Sequence, residues 1–352
     1  MTTTSPFQDI KPQRPWQAST KDRLITFAIF LLSILASVVV VSFTGLSGKL
    51  GLFVSFVFVF IFVTSGRSYL QFGSAVAKDS LVNILVAVGT FLTIIPIASI
   101  LFEVFSKGYK GLYPGLFFQD MSLNSPNDPA NVGGLGHAIV GTFLLVSIAL
   151  IFSVPIGILT ALYLTEIKGK FSRPIRFLVQ AMSGVPSIVA GLFILSAILY
   201  PITKNNSSLL GSLALAILMI PTVARTSEEV LNLIPNDLRE AGVALGGTQW
   251  RTVAMIVVPA AKSGLLTAVI LGIARIAGET APILLVAGGG DRYNFNPFSG
   301  PMGSLPHFIW NSFRAGTPES TARAWTGLLV LLVIVFVLFA IARFFGNRKV
   351  GK

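Results

Sequence analysis

IPTVARTSEEVLNLIPNDLREAGVALGGTQWRTVAMIVVP, residues 220–259, is the only long polar stretch between two strongly apolar ones in the C-terminal half of the chain. It reads as two short helices joined by a bend. Pro235, Asn236 and Asp237 form a helix-start signal, and Asp237 with Glu240 three residues on is a variant of the capping box. Gly246-Gly247 supplies a left-handed stop, because glycine meets no Cβ penalty at positive φ. Thr248 is placed to cap the next helix, and Pro259 marks entry into the following apolar run. A helix–glycine–helix elbow on a membrane face is a rigid lever, able to pass force from a soluble partner to the spans on either side.

Outward from that stretch, composition sets the class. The 352 residues are 53% hydrophobic and 11% charged, with mean hydropathy +0.79, whereas soluble domains carry about 25% charge. This is the composition of an integral membrane protein. Cysteine is absent, which excludes disulfides and thiolate metal sites. The two histidines, His137 and His307, are too few for a histidine-rich metal centre, and His307 reads as incidental. The net charge of +12 would suit a nucleic-acid partner, but in a membrane protein an excess of Lys and Arg reports topology. No nucleic acid is expected.

Residues 1–23 read as a polar cytosolic tail. The apolar run 24–44 is too long for a signal-peptide core of about 7–15 residues and reads as a span. A shorter, Phe-rich run at 50–64 completes an N-terminal hairpin, 24–66, with a packing or anchoring role. After a polar stretch at 67–80 come spans at 81–105, 138–165, 177–200, 209–224, 260–287 and 324–345. That makes about eight spans near the ~20 residues a bilayer requires. Pro155 and Pro186 are expected to kink or break their spans, with packing as the alternative. Two loops, 106–136 and 288–322, are rich in Gly, Pro and aromatic residues. The expectation is an all-α polytopic protein with a core at 81–346, an elbow at 227–259 and a cytosolic tail at 347–352. With both termini in the cytosol, inside segments hold 18 Lys and Arg and outside segments 7. That asymmetry places the elbow inside.

The elbow also carries a resemblance. Glu240-Ala241-Gly242, three residues, Gly246, nine residues, Ile256, one residue and Val258-Pro259 resemble the EAA loop of ABC importer permeases. Gly242 stands where that family usually has Ala, and Val258 where it usually has Leu. Arg225-Thr226-Ser227-Glu228-Glu229 and Gly278-Glu279-Thr280-Ala281-Pro282 resemble the PstA-type permeases of phosphate importers, whose PstC-type sisters usually lack that Ala-Pro. Gly184 to Phe193 resembles a stretch shared by both types. The resemblance covers roughly 81–345. It implies a type I ABC importer permease, a six-helix core with an added two-helix hairpin, in the cell membrane. The implied partners are a PstC-like permease, a dimer of ATPase subunits and an extracytoplasmic phosphate-binding protein, with inorganic phosphate as cargo. It also implies that Glu240, Ala241, Gly242, Gly246 and Pro259 dock and couple to the ATPase, although an ordinary capped surface helix is the plainer reading of the residues alone.

Arg275 and Glu279, four residues apart, are expected on one helix face. A charge within a span is costly and rare without a partner. The pair reads either as a structural ion pair or as a cation lining an anion path, moderated by its carboxylate; a guanidinium fork matches phosphate oxygens. The resemblance favours the second role and adds Thr280. Arg225, Glu228 and Glu229 read as a topological anchor or as part of an inner gate. The loop 288–322, with Tyr293, Phe295, Phe298, Phe308 and Trp310, is either a docking surface for the binding protein or an interfacial aromatic belt, and 305–313 has the pattern of an interfacial helix. No G-x-x-x-x-G-K-[ST], H-E-x-x-H or G-x-S-x-G is present. The chain is therefore expected to be a pore subunit and not an enzyme, with no cofactor of its own, ATP and Mg being used by the partner. The other readings are a permease for molybdate, sulfate or another polar solute, and a channel or secondary transporter without an ATPase. The second lacks the internal repeat such transporters often show.

Overall fold

The computed structural model describes residues 20–46 and 48–346, so most of the two expected tails lies outside the described residues. The chain forms two compact units, 1–100 and 101–352. The first contains α1 (Thr20–Phe43), α2 (Gly48–Phe72) and most of α3 (Ser74–Gly108). Lipid tails are as apolar as leucine, so helices in a bilayer associate through close van der Waals contact at small residues and not by escape from water. α1 and α2 follow that rule: buried Ser33 and Ser37 on one, Gly51 and Ser55 on the other, each pair four residues apart. Phe30 meets Phe56 edge-on at 5.3 Å, and Phe56 stacks on Phe60 at 5.6 Å. The polar stretch 67–80 is helical apart from Gly73, whose φ of +85° ends α2. Polarity alone does not stop a helix; a residue free to turn left does.

The second unit begins in the last turns of α3 and continues with α4 (Gly136–Leu162), which widens into a π turn at Tyr163–Ile167. There follow α5 (Ser172–Ser183), α6 (Ser187–Ile194, prolonged as a π-helical segment to Thr203) and α7 (Ser208–Asn232). The elbow comprises α8 (Asn236–Ala244) and α9 (Gln249–Thr252). A second π turn, Val253–Val257, joins α9 to α10 (Val258–Ala277). α11 (Ala281–Val286), α12 (Leu305–Ala315) and α13 (Pro318–Gly346) complete the unit. Among the described residues seven helices are long and apolar enough to cross a membrane, and eight segments qualify if the bent α5–α6 pair counts as one.

α7 is the axis of this unit, packed on α4 and α10. Leu215, Met219 and Val223 are wholly buried along it. Val223 explains the closeness: a Cβ on Gly157 of α4 would lie 2.8 Å from its Cβ, and one on Gly272 of α10 would lie 2.9 Å from its Cγ2. Overpacking a tight contact costs about 1–3 kcal/mol. Gly272→Leu is therefore expected to lower the melting temperature of the purified protein by several degrees, while a substitution at exposed Leu271 leaves it unchanged.

The span over 177–200 breaks at Pro186, as expected: it is a pair of helices bent by 105° between Ser183 and Ser187. Pro186 is extended, with ψ 137°, and a proline disfavours α geometry in the residue before it. Pro155, by contrast, sits within an unbroken α4. The span over 260–287 ends at Ala277, runs non-helical through Gly278-Glu279-Thr280 and restarts as α11. In the segment 305–313, Leu305 to Ile309 are buried in α12 against α4 and α13, whereas Trp310 and Phe313 are exposed.

At the end of α4 opposite the elbow, the two Gly-rich loops knit together. Met121 N–H donates to the Asp291 carbonyl at 2.9 Å, and the buried Arg323 donates to the carbonyls of Ser125, Asp128, Pro129 and Val132. His307 lies 8% exposed beside Gly289 and within 3.2 Å of the Asn311 amide. Burial holds its pKa below the usual histidine value, with Asp291 offsetting part of the effect. The unfolded chain then binds the proton more readily. Stability from this site is full above about 6.5, the unfolded value, and falls as pH drops toward the depressed folded value. Melting temperatures between neutral and mildly acidic pH are expected to decline in the native protein and to decline less in His307→Gln.

Candidate functional site

The elbow is built by its stop signal. Gly246 has φ +82°, its N–H donates to the Val243 carbonyl at 2.9 Å, and Gly247 N–H donates to the Gly242 carbonyl at 3.2 Å. These are the two bonds of a Schellman stop, which satisfy the last carbonyls of α8. Thr248 then caps α9, its hydroxyl accepting from Arg251 N–H at 3.4 Å. The expected capping box at Asp237 and Glu240 does not form. Pro235 holds the cap position with no side-chain bond, and Asp237 is the second residue of the helix, where it serves the N-terminal dipole instead.

Spacing divides α8 into three faces. Gly242 is buried, and a Cβ there would lie 2.5 Å from Thr252 Cγ2 and 2.8 Å from Ile256 Cδ1. This contact accounts for glycine where the resembling sequences carry alanine. A second face, including Arg239, Glu240 and Val243, looks over a hollow of about 770 Å³. The third exposes Leu238, Ala241 and Leu245, with Trp250 also exposed on α9. Leu245 is 87% exposed. An apolar face on a polar, non-spanning helix marks an interaction surface. Pro259, exposed at the start of α10, has no N–H for the carbonyl four residues back, and the chain widens into the π turn just before it.

Arg275 and Glu279 do not share a helix face. α10 stops two residues after Arg275, and no Arg275–Glu279 ion pair forms among the described residues. Arg275 is exposed and donates instead to Thr222 Oγ1 of α7 at 3.2 Å. Glu279 and Thr280 are half-buried in the non-helical break. α10 ends at its C-cap Gly278 with φ −100°, a conformation any residue can take, and Pro282 four residues on has no N–H to continue the helix through Gly278. Non-helical backbone at membrane depth is tolerated only where protein buries it or it lines a wet cavity. Arg275 and its partner Thr222 thus lie at the end of α10 next to a break that contains Glu279 and Thr280.

Arg225 and Glu229 form an exposed i,i+4 pair at 3.5 Å, whereas Glu228 leaves them and pairs with Arg176 of α5 at 2.6 Å. No sequence signal announces Arg239 and Glu166, a bidentate pair at 2.8 and 3.0 Å that ties α8 to the end of α4. Arg239 stands next to the Glu240 signature, but its partner lies 73 residues away. Among the described residues no cluster of His, Asp and Glu has the makings of a metal site.

Comparison with known proteins agrees with this architecture. Residues 153–351 match the model of the binding-protein-dependent transport system inner membrane component family. The chain is 34% identical over 276 residues to the phosphate transport system permease protein PstA 1 of Mycobacterium tuberculosis, covering 77% of this chain and 90% of that one. It is 38% identical over 275 residues to PstA of Pasteurella multocida, covering 77% and 95%. A crystal structure of a bacterial ABC transporter involved in the import of the acidic polysaccharide alginate shares the fold, with TM-score 0.53 and 13% identity over 81% of this chain and 98% of that one. With its apolar spans, elbow and broken tenth helix, this multi-pass membrane protein belongs to the binding-protein-dependent transport system inner membrane components, and among them to the PstA-type permeases.

Proposed function

We propose that the chain is the PstA-type permease subunit of an ATP-driven importer of inorganic phosphate. The observation that carries this reading is the 34–38% identity to PstA proteins over nearly their whole length. The Lys and Arg distribution supports cytosolic termini and a cytosolic elbow. The pore forms with a PstC-like permease, and an extracytoplasmic binding protein delivers phosphate at the end where the Gly-rich loops are knit. A dimer of ATPase subunits binds ATP and Mg and docks on the exposed face of α8 through Leu238, Ala241 and Leu245. This chain supplies no hydrolytic chemistry.

ATP-driven closure of the ATPase dimer draws the elbows together. The spans tilt between two discrete packings, because close-packed interfaces are bistable and do not deform gradually. Phosphate passes Arg275, whose guanidinium offsets its charge in transit while being only singly held by Thr222. A site on a path must bind well enough to admit the ion and weakly enough to release it. The test is ATP-dependent uptake of labelled phosphate by the reconstituted four-component complex, with and without this chain. Uptake that needs this chain and resists competition by sulfate and molybdate is expected. Uptake abolished equally by sulfate or molybdate would assign a different oxyanion, and uptake independent of ATP would rule out the importer.

A further inference from the structure

The geometry points to Arg239 as the strut that transmits movement of the elbow to the spans, a positioning role that rests on α8 being the ATPase-docking element. All five guanidinium N–H groups have partners. Nε and Nη2 bind the two Glu166 oxygens at 3.0 and 2.8 Å; Nη2 also donates to the Leu231 carbonyl at 2.9 Å. Nη1 donates to the Ile234 carbonyl at 2.6 Å and to Asn236 Oδ1 at 3.3 Å. Glu166 lies in the π turn that ends α4, its side chain only 6% exposed. Gln249 of α9 donates to the Glu166 carbonyl at 2.6 Å. One residue pair therefore joins the end of α4, the end of α7, α8 and, through Gln249, α9.

No other ion pair among the described residues has this form. Arg176–Glu228 uses a single carboxylate oxygen and a half-exposed arginine, and pairs of that kind are worth little. Arg225–Glu229 is exposed and lies within one helix. Around Arg239 the packing is incomplete, because the hollow of about 770 Å³ lies under α8 between it and the end of α4. Side-chain packing alone does not fill that gap; a planar fork with fixed donor directions bridges it. Without the fork, α8 is left to pivot about its two non-helical ends, 233–235 and 245–248. Displacement by the ATPase would then be absorbed there, leaving α4 and α7 in place.

The test uses the full reconstituted complex and measures ATPase-subunit binding, ATP hydrolysis and phosphate transported per ATP. Arg239→Ala is expected to keep binding and hydrolysis and to lose about tenfold or more in phosphate per ATP, within the roughly 5–150-fold range of ordinary coupling between sites. Arg239→Lys retains the charge without the fork and is expected to recover only part of the loss. Because the chain has no cysteine, spin labels at Asp237→Cys and Leu159→Cys report the α8–α4 distance directly. A single distance, the same with and without ATP, is expected for native Arg239, and a broadened or nucleotide-dependent one for Arg239→Ala. Full phosphate per ATP with an unchanged distance in Arg239→Ala would overturn the strut, and so would loss of ATPase binding in that variant, which would make the pair a mere fold element. Failure of the native complex to bind the ATPase through α8 would instead overturn the docking reading.

Discussion

Arg275→Ala is expected to reduce phosphate uptake to below about a tenth of the native rate, a loss of at least ~1.4 kcal/mol in stabilisation of the passing anion. The side chain is exposed at the last turn of α10, beside the non-helical break, and its one hydrogen bond is to Thr222. Its loss removes a positive charge from the path without opening a cavity in the core, so assembly with the ATPase is expected to survive. Labelled-phosphate uptake in proteoliposomes, paired with co-purification of the ATPase subunit, separates the two effects. Thr222→Val supplies a finer comparison. It releases the guanidinium from α7 but keeps the charge, and a smaller loss is expected than for Arg275→Ala. Native uptake by Arg275→Ala would remove this residue from the path.

Gly246→Val is expected to uncouple ATP hydrolysis from transport. No atom lies within 4 Å of a Cβ placed at Gly246, so space is not the obstacle. The obstacle is φ +82°, which costs a residue with a Cβ about 1–2 kcal/mol and a β-branched residue more. To relieve it the chain must give up the bonds from Gly246 N–H to Val243 and from Gly247 N–H to Gly242 that set the angle between α8 and α9. The measured outcome is phosphate per ATP, expected to fall severely in Gly246→Val and mildly in Gly246→Asn, since asparagine tolerates the left-handed region. Full transport in Gly246→Val would show that the angle of the elbow does not matter.

The elbow was legible because its signals are local. Gly246-Gly247 and Thr248 act within one turn of themselves, and the structure shows both the stop and the cap. The capping box fails for a local reason too: Pro235 takes the cap position, which leaves Asp237 two places past it. Spans were legible from apolar length, and the break at Pro186 from its proline, but not the break at 278–280 or the continuity of α4 through Pro155. Pro155 and Pro186 look alike in sequence, yet one sits inside a continuous helix and the other follows a 105° bend.

What the sequence determined by itself is the material of this protein: an all-helical membrane chain, its apolar runs, its glycine stop and the charge distribution that argues for its orientation. Each of these depends on neighbours a few residues apart or on a sum over a segment. The tertiary structure decided which charges meet. Arg275 turned from Glu279 to Thr222 because α10 ends between them, and Arg239 found Glu166 across 73 residues of chain. A guanidinium takes whatever oxygens the packed helices bring within about 3 Å, and that proximity is a property of the assembled bundle, not of any stretch of sequence.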